Sequence, residues 1–377
     1  MHAFSRYGLT LKLSFLTLIC GLLLTGCVDH FSPDGWAGPT VSGDTLYICT
    51  LEGNFLAIDL NDRTVTKDLT PTDQNSEPSS MFGCGAPAAP DLISYAAPVV
   101  SGSTFYIGTY SGEVYAIDVD SGTRKWNYDT RDNIVGGLAL SGDELVVASS
   151  DKIYKFDARN GSLMWDEPFD SGGHIWGGPV ISEEVIYFGN LKHNLYAVDL
   201  GSGDQVWKRE FTGAIASTPL IVDGTLYIGT FEKDFYAIDT ATGKDKWGKP
   251  FNAKDWFWTK ATFDGGKVYV GTLGGTVYSL DASTGNKIWE FRAESGDRFR
   301  SSPVVVNDVV VIGCQDDRVY GLDTETGMQK WPPLHFSNDI MADPWVRGTT
   351  VYYLDQDNNL HGIDAETGSR LWAQPLD

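Results

Sequence analysis

Cysteine is scarce in this 377-residue chain: there are five, no two are adjacent, and none form a CxxC pair. That leaves a zinc–thiolate cluster, a thiol-redox centre and covalent haem attachment without support. Positive charge is scarce too, with 28 Lys and Arg against 50 Asp and Glu and a formal net charge of −22. Nucleic acid and anionic lipid headgroups would be repelled, so neither is expected as a partner. Of the six histidines, His174 has no second His or Cys at ligand spacing, and no metal site is expected. No stretch after the N-terminus keeps a helical period, which argues against helical architecture.

The one long apolar run, "LSFLTLICGLLLTG" (13–26), is too short to span a bilayer comfortably. It follows Arg6 and Lys12 and ends in "LTGC" (24–27), which resembles a bacterial lipobox. The expectation is a signal peptide over 1–26, lipid on Cys27, and a tether over 27–33 before the folded part. Such a protein is exported and held in the cell envelope by its anchor, at the periplasmic face or the outer surface. In that oxidising compartment one disulfide among Cys49, Cys84 and Cys314 is allowed, but sequence does not choose the pair.

What the chain has in abundance is repetition. "YAIDVDSGTRKW" (115–126) recurs as "YAVDLGSGDQVW" (196–207), "YAIDTATGKDKW" (236–247), "YSLDASTGNKIW" (278–289), "YGLDTETGMQKW" (320–331) and "HGIDAETGSRLW" (361–372). A weaker copy is "YKFDARNGSLMW" (154–165), and "LAIDLNDRTVTK" (56–67) is a degenerate first one without the glycine or the tryptophan. The anchors are Asp59, Asp118, Asp157, Asp199, Asp239, Asp281, Asp323 and Asp364, spaced 39 to 42 residues apart from the second onward. A fixed period of this size marks a repeat architecture.

Each unit reads as four short strands, in the seventh as "RSSPVVV" (300–306), "VVVIGC" (309–314), "VYGLD" (319–323) and "QKWPP" (329–333). Four strands per period, arranged radially, give an all-β, eight-bladed β-propeller of four-stranded antiparallel blades over 34–377. The Asp is expected to accept N–H groups of the turn that follows it, and the Gly to supply a positive φ. Trp126, Trp165, Trp207, Trp247, Trp289, Trp331 and Trp372 are then docking residues packed against the neighbouring blade, with Ala or Gly two before the Asp leaving room for the ring.

The repeated unit resembles the tryptophan-docking motif of the pyrroloquinoline quinone (PQQ)-type propeller repeat over about residues 34–377. Families sharing that motif include the large quinoprotein dehydrogenases and the smaller outer-membrane assembly lipoproteins of the BamB family. The dehydrogenases hold PQQ between a tryptophan and a disulfide of adjacent cysteines, with acidic and amide groups on calcium; this chain has no such cysteines, and its longest insert is 66–90. The lipobox, a length of about one propeller and the lack of a cysteine pair resemble the assembly lipoproteins. The resemblance implies a non-catalytic scaffold with no catalytic residues and no cofactor. Its partner is an envelope protein or peptide, with an outer-membrane β-barrel as the most specific candidate. The alternative is a PQQ-dependent alcohol or sugar dehydrogenase using PQQ and calcium in the axial funnel.

Aligning the copies with one another shows where they differ. Twenty residues before the anchors stand Pro39, Pro98, Pro179, Pro219, Pro303 and Pro344, marking the strand nearest the axis. Three residues earlier come Trp36, Tyr95, Val135, Trp176, Ala216, Trp258, Arg300 and Met341, and two before those Asp34, Ile93, Asn133, His174, Ala214, Trp256, Arg298 and Asp339. Alternation puts both sets on one face, as rings around the axial funnel, with small residues inward of them (Gly38, Ala97, Gly137, Gly178) keeping a channel open. The candidate binding residues are Trp36, Tyr95, His174, Trp176, Trp256, Trp258, Arg298 and Arg300, suited to a planar anion, a sugar or a peptide segment. The competing reading is a plug of large side chains. The Pro- and Ser-rich insertion 70–92, with Met81 and Phe82 at its tip, would cap the funnel, touch a partner or do neither. "GTLGG" (271–275) lacks the Lys-Ser/Thr of a phosphate loop, and "DVDSG" (118–122) is the repeat turn without a calcium loop's closing Glu.

Overall fold

The computed structural model describes residues 37–71 and 92–376. The repeat builds outward from its turn. In the sixth unit the Asp281 carboxylate accepts the N–H groups of Ser283 (3.1 Å) and Thr284 (2.8 Å) and both their hydroxyls, and Gly285 follows at φ 74°. That turn joins the third strand (Thr276–Asp281) to the fourth (Lys287–Arg292), with a register shift between Ser279 and Leu280 that seats Trp289 opposite Ser279.

The described residues form eight four-stranded antiparallel sheets, each made of four consecutive strands. The eighth blade therefore meets the first without exchanging a strand. Seven of the innermost strands are three residues long, such as Val180–Ser182 and Val304–Val306, and each proline marker lies just before one. There the missing N–H costs no ladder bond. In the seventh blade the outer strand is Leu334–His335, not 329–333 as its sequence suggested. Pro332 and Pro333 cannot donate, so only an isolated Leu322–Gln329 bridge forms before them. Blades three and five show the same two-residue outer strand after Pro168 and Pro250 (Phe169–Asp170, Phe251–Asn252).

The core is not central. Eight buried apolar clusters are found, and each lies between two neighbouring blades, from Tyr47–Phe105 between the first and second to Leu46–Tyr352 between the first and eighth. Within a joint the Trp indole N–H donates to the carbonyl just after the next blade's anchor: Trp126 to Ala158 (2.8 Å), Trp247 to Ala282 (2.9 Å), Trp331 to Ala365 (2.9 Å). A second-strand tyrosine shares that carbonyl in four joints, for example Tyr106 on Ala158 (3.1 Å) and Tyr227 on Ala282 (3.1 Å). The turn glycine of the next blade lies under the ring, and a Cβ on Gly285 would sit 2.6 Å from Trp247. Gly321 and Gly362, two before their anchors, make room for Trp331 and Trp372 as expected.

The irregular copies are completed by charge. Lys67 stands where the first blade's tryptophan would be, and its ammonium donates to the Asp120 carbonyl while its stem runs along Gly122. Arg63 takes the left-handed glycine position at φ 66° and stacks 5.4 Å over Trp372, closing the eighth joint. In the third blade the buried Lys155 replaces the small residue; it donates to the Leu200 carbonyl (2.7 Å) and pairs with Glu144 (2.6 Å).

The turn donors hold seven of the eight anchor carboxylates below the usual range: Asp118 chiefly through the Ser121 N–H, Asp157, down to about 2, through Arg159, and Asp199, Asp239, Asp281, Asp323 and Asp364 through their turn Ser or Thr. A depressed folded-state pKa stabilises above the unfolded value near 4, and the contribution is lost as pH falls through the folded one. Among the described carboxylates, Asp339 and Asp343, raised by burial, act in the opposite direction. The melting temperature is therefore expected to fall steeply below pH 4, and a profile flat to pH 2.5 would remove this role from the turns.

Candidate functional site: the axial lumen

The extended run before each inner strand alternates as the sequence suggested. Ile134, Ile175, Ile215, Phe257, Phe299 and Ile340 point into the joints and are essentially fully buried. The residues one further along, Tyr95, Val135, Trp176, Ala216, Trp258, Arg300 and Met341, all line one axial cavity of about 330 Å³. Trp36 belongs to the same set but lies outside the described residues, as do Cys27, Asp34, Cys84 and most of the 70–92 insertion. Of the outer set, Asn133 and His174 line a second pocket of about 260 Å³ that shares Tyr95, Val135 and Trp176 with the lumen. Trp256, Arg298 and Asp339 line neither cavity.

Aromatic rings and cations are organised together here. Trp256, 46% exposed, stacks on Phe231 (5.2 Å between centroids), Phe231 stacks on Trp258 (6.0 Å), and the Arg300 guanidinium lies 4.9 Å over Trp258. Trp176 meets Trp258 edge to face at 6.0 Å, and Tyr95 tilts against Tyr110 at 5.2 Å. Burial, and then the neighbouring Arg298, push the Arg300 pKa down, partly offset by Asp339. A cation so placed gains from an added anion. His174 shares a hydrogen bond between its Nδ1 and the Ser150 hydroxyl (3.0 Å), and Asp339 accepts from Gln315 (3.0 Å).

One tier deeper is a ring whose polar members the sequence reading did not single out: Thr218, Lys260, Ser302 and Asp343. Counting two residues past each ring position would have found them. These side chains also tie blade to blade, since Gly178 N–H donates to Thr218 Oγ1 (2.7 Å), Lys260 N–H to Ser302 Oγ (3.0 Å), and Ser302 N–H to Asp343 Oδ1 (2.7 Å). Gly38 and Gly178 line the lumen, yet their smallness serves close approach of the blades. A Cβ on Gly38 would lie 2.5 Å from the Asp343 carbonyl oxygen, and one on Gly178 2.9 Å from that of Gly136.

Among the described residues no three His, Cys, Asp or Glu side chains gather as metal ligands. Cys49 and Cys314 are buried free thiols, the first pushed up to about 12 by its burial. Neither lies at the lumen.

Comparison with known proteins places this frame. A structure of BamB from Moraxella catarrhalis superposes with a TM-score of 0.62 at 21% identity, covering 74% of this chain and 84% of that one. A europium-containing methanol dehydrogenase superposes equally well, with a TM-score of 0.64 at 16% identity over 86% and 81% of the two chains. Likeness at that level shows the fold alone. Sequence comparison adds the family. Outer membrane protein assembly factor BamB of Vibrio cholerae serotype O1 is 25% identical over 137 residues, which is 32% of this chain and about a third of that protein (35%). The profile of the family described as outer membrane protein assembly factor BamB matches residues 29–249 and 251–377, so the chain belongs to that family of PQQ-like propellers.

Proposed function

We propose that the protein is a lipid-anchored, extracytoplasmic, non-catalytic scaffold that takes part in assembling outer-membrane proteins, with a β-barrel or another envelope protein as its partner. The observation that carries the reading is the family match across both halves of the propeller. The LTGC sequence ending at Cys27, after a short apolar run, supports the anchor, and would hold the propeller at the membrane where barrels are inserted. The lumen supports a binding role over a catalytic one, because the chain has no adjacent cysteines and, among the described residues, the lining holds a single carboxylate, Asp343, where PQQ and calcium need several acidic groups.

Melting of the purified chain with and without PQQ plus calcium tests the non-catalytic part. A scaffold melts at the same temperature in both. A bound cofactor at a hundred times its Kd would add about 2.7 kcal/mol. A clear upward shift together with dye reduction by an alcohol or aldose would overturn the proposal in favour of a dehydrogenase.

A further inference from the structure

We propose that the axial lumen binds a short acidic saccharide, with a sugar ring on Trp176 and its carboxylate on Arg300, which is braced on Trp258. The inference concerns a ligand of the lumen and does not depend on the assembly role. A pyranose has apolar C–H faces and a rim of hydroxyls, and the lumen offers aromatic rings above a tier of Thr218, Lys260, Ser302 and Asp343. The cavity, at about 330 Å³, is of a size for one or two sugar rings.

Arg300, with its planar fork stacked on Trp258, has the geometry that pairs with a carboxylate, and Arg298 adds a second positive charge nearby. Asp343 lines the lumen and Asp339 acts electrostatically on Arg300, so both oppose further negative charge, and the chain as a whole carries −22. The ligand is therefore short and singly acidic rather than a polyanion. Finally, a peptide gains much of its affinity by adding a strand to an exposed edge, and seven of the inner strands are only three residues long. Recognition here falls to side chains that differ from blade to blade.

The test titrates the purified full chain with cellobiouronate, which is cellobiose carrying one carboxylate, with cellobiose itself and with acetyl-tryptophyl-glutamate, reading tryptophan fluorescence and heat. Cellobiouronate is expected to bind with a Kd of roughly 0.1–1 mM and cellobiose about tenfold more weakly. Trp176→Ala should weaken both sugars about tenfold. Arg300→Gln should bring cellobiouronate down to the affinity of cellobiose. Arg300→Lys, which keeps the charge and loses the fork, should fall between the two, and it guards against a misfolded glutamine variant when its melting matches wild type. Absence of cellobiouronate binding at about 10 mM, equal affinity for the two sugars, or tighter binding of the peptide would each overturn the proposal.

Discussion

Trp289→Ala is expected to cost roughly 3–5 kcal/mol in urea unfolding, the usual range for emptying a buried aromatic site. Trp289 is 7% exposed, donates its indole N–H to the Thr324 carbonyl at 3.0 Å, and lies on Gly327, where a Cβ would come within 2.7 Å of the ring. A glycine has no side chain to swing into the vacated space, so the cavity stays open. The carbonyl itself keeps a donor, since Tyr269 also reaches it at 3.4 Å, and the loss is therefore mostly packing. Trp372→Ala should cost clearly less. That ring is only half-buried, and the Arg63 guanidinium already lies 5.4 Å over it. Equal losses at the two positions would mean that the seam between the first and eighth blades is built like the others.

Gly285→Ala is expected to destabilise by about 2–5 kcal/mol, against about 1–2 kcal/mol for Gly142→Ala. Both glycines have positive φ, 74° and 57°, so both alanines pay the left-handed strain. Only Gly285 has a neighbour, the Trp247 ring 2.6 Å from the added Cβ, whereas nothing lies within 4 Å at Gly142. The difference between the two variants isolates the docking contact from the turn. Matching losses would show that the glycine serves its turn alone.

These two expectations rest on residues that the repeat made legible. A strict spacing of acid, glycine and indole is forced by one turn and one joint, and repetition exposes it without any structure. The alternation before the inner strand was equally readable, because buried Ile and Phe separate the ring positions in six of the eight blades. Three things were not readable. The Tyr106–Ala158 type of bond joins residues 52 positions apart, across a joint that no local pattern describes. Lys67, Arg63 and Lys155 do the work of Trp, Gly and Ala with unlike chemistry, so the motif looked merely broken where it was replaced. The deeper tier was missed because Gly38, Ala97, Gly137 and Gly178 suggested an empty channel, while Lys260 and Asp343 occupy the equivalent positions in other blades.

The most direct test of the scaffold reading is capture of the full chain from cross-linked native membranes, with quantification of what accompanies it. The account predicts an outer-membrane β-barrel protein in amounts comparable to the chain, retained when the captured protein is washed at high salt. Recovery of the chain without any envelope protein would contradict it.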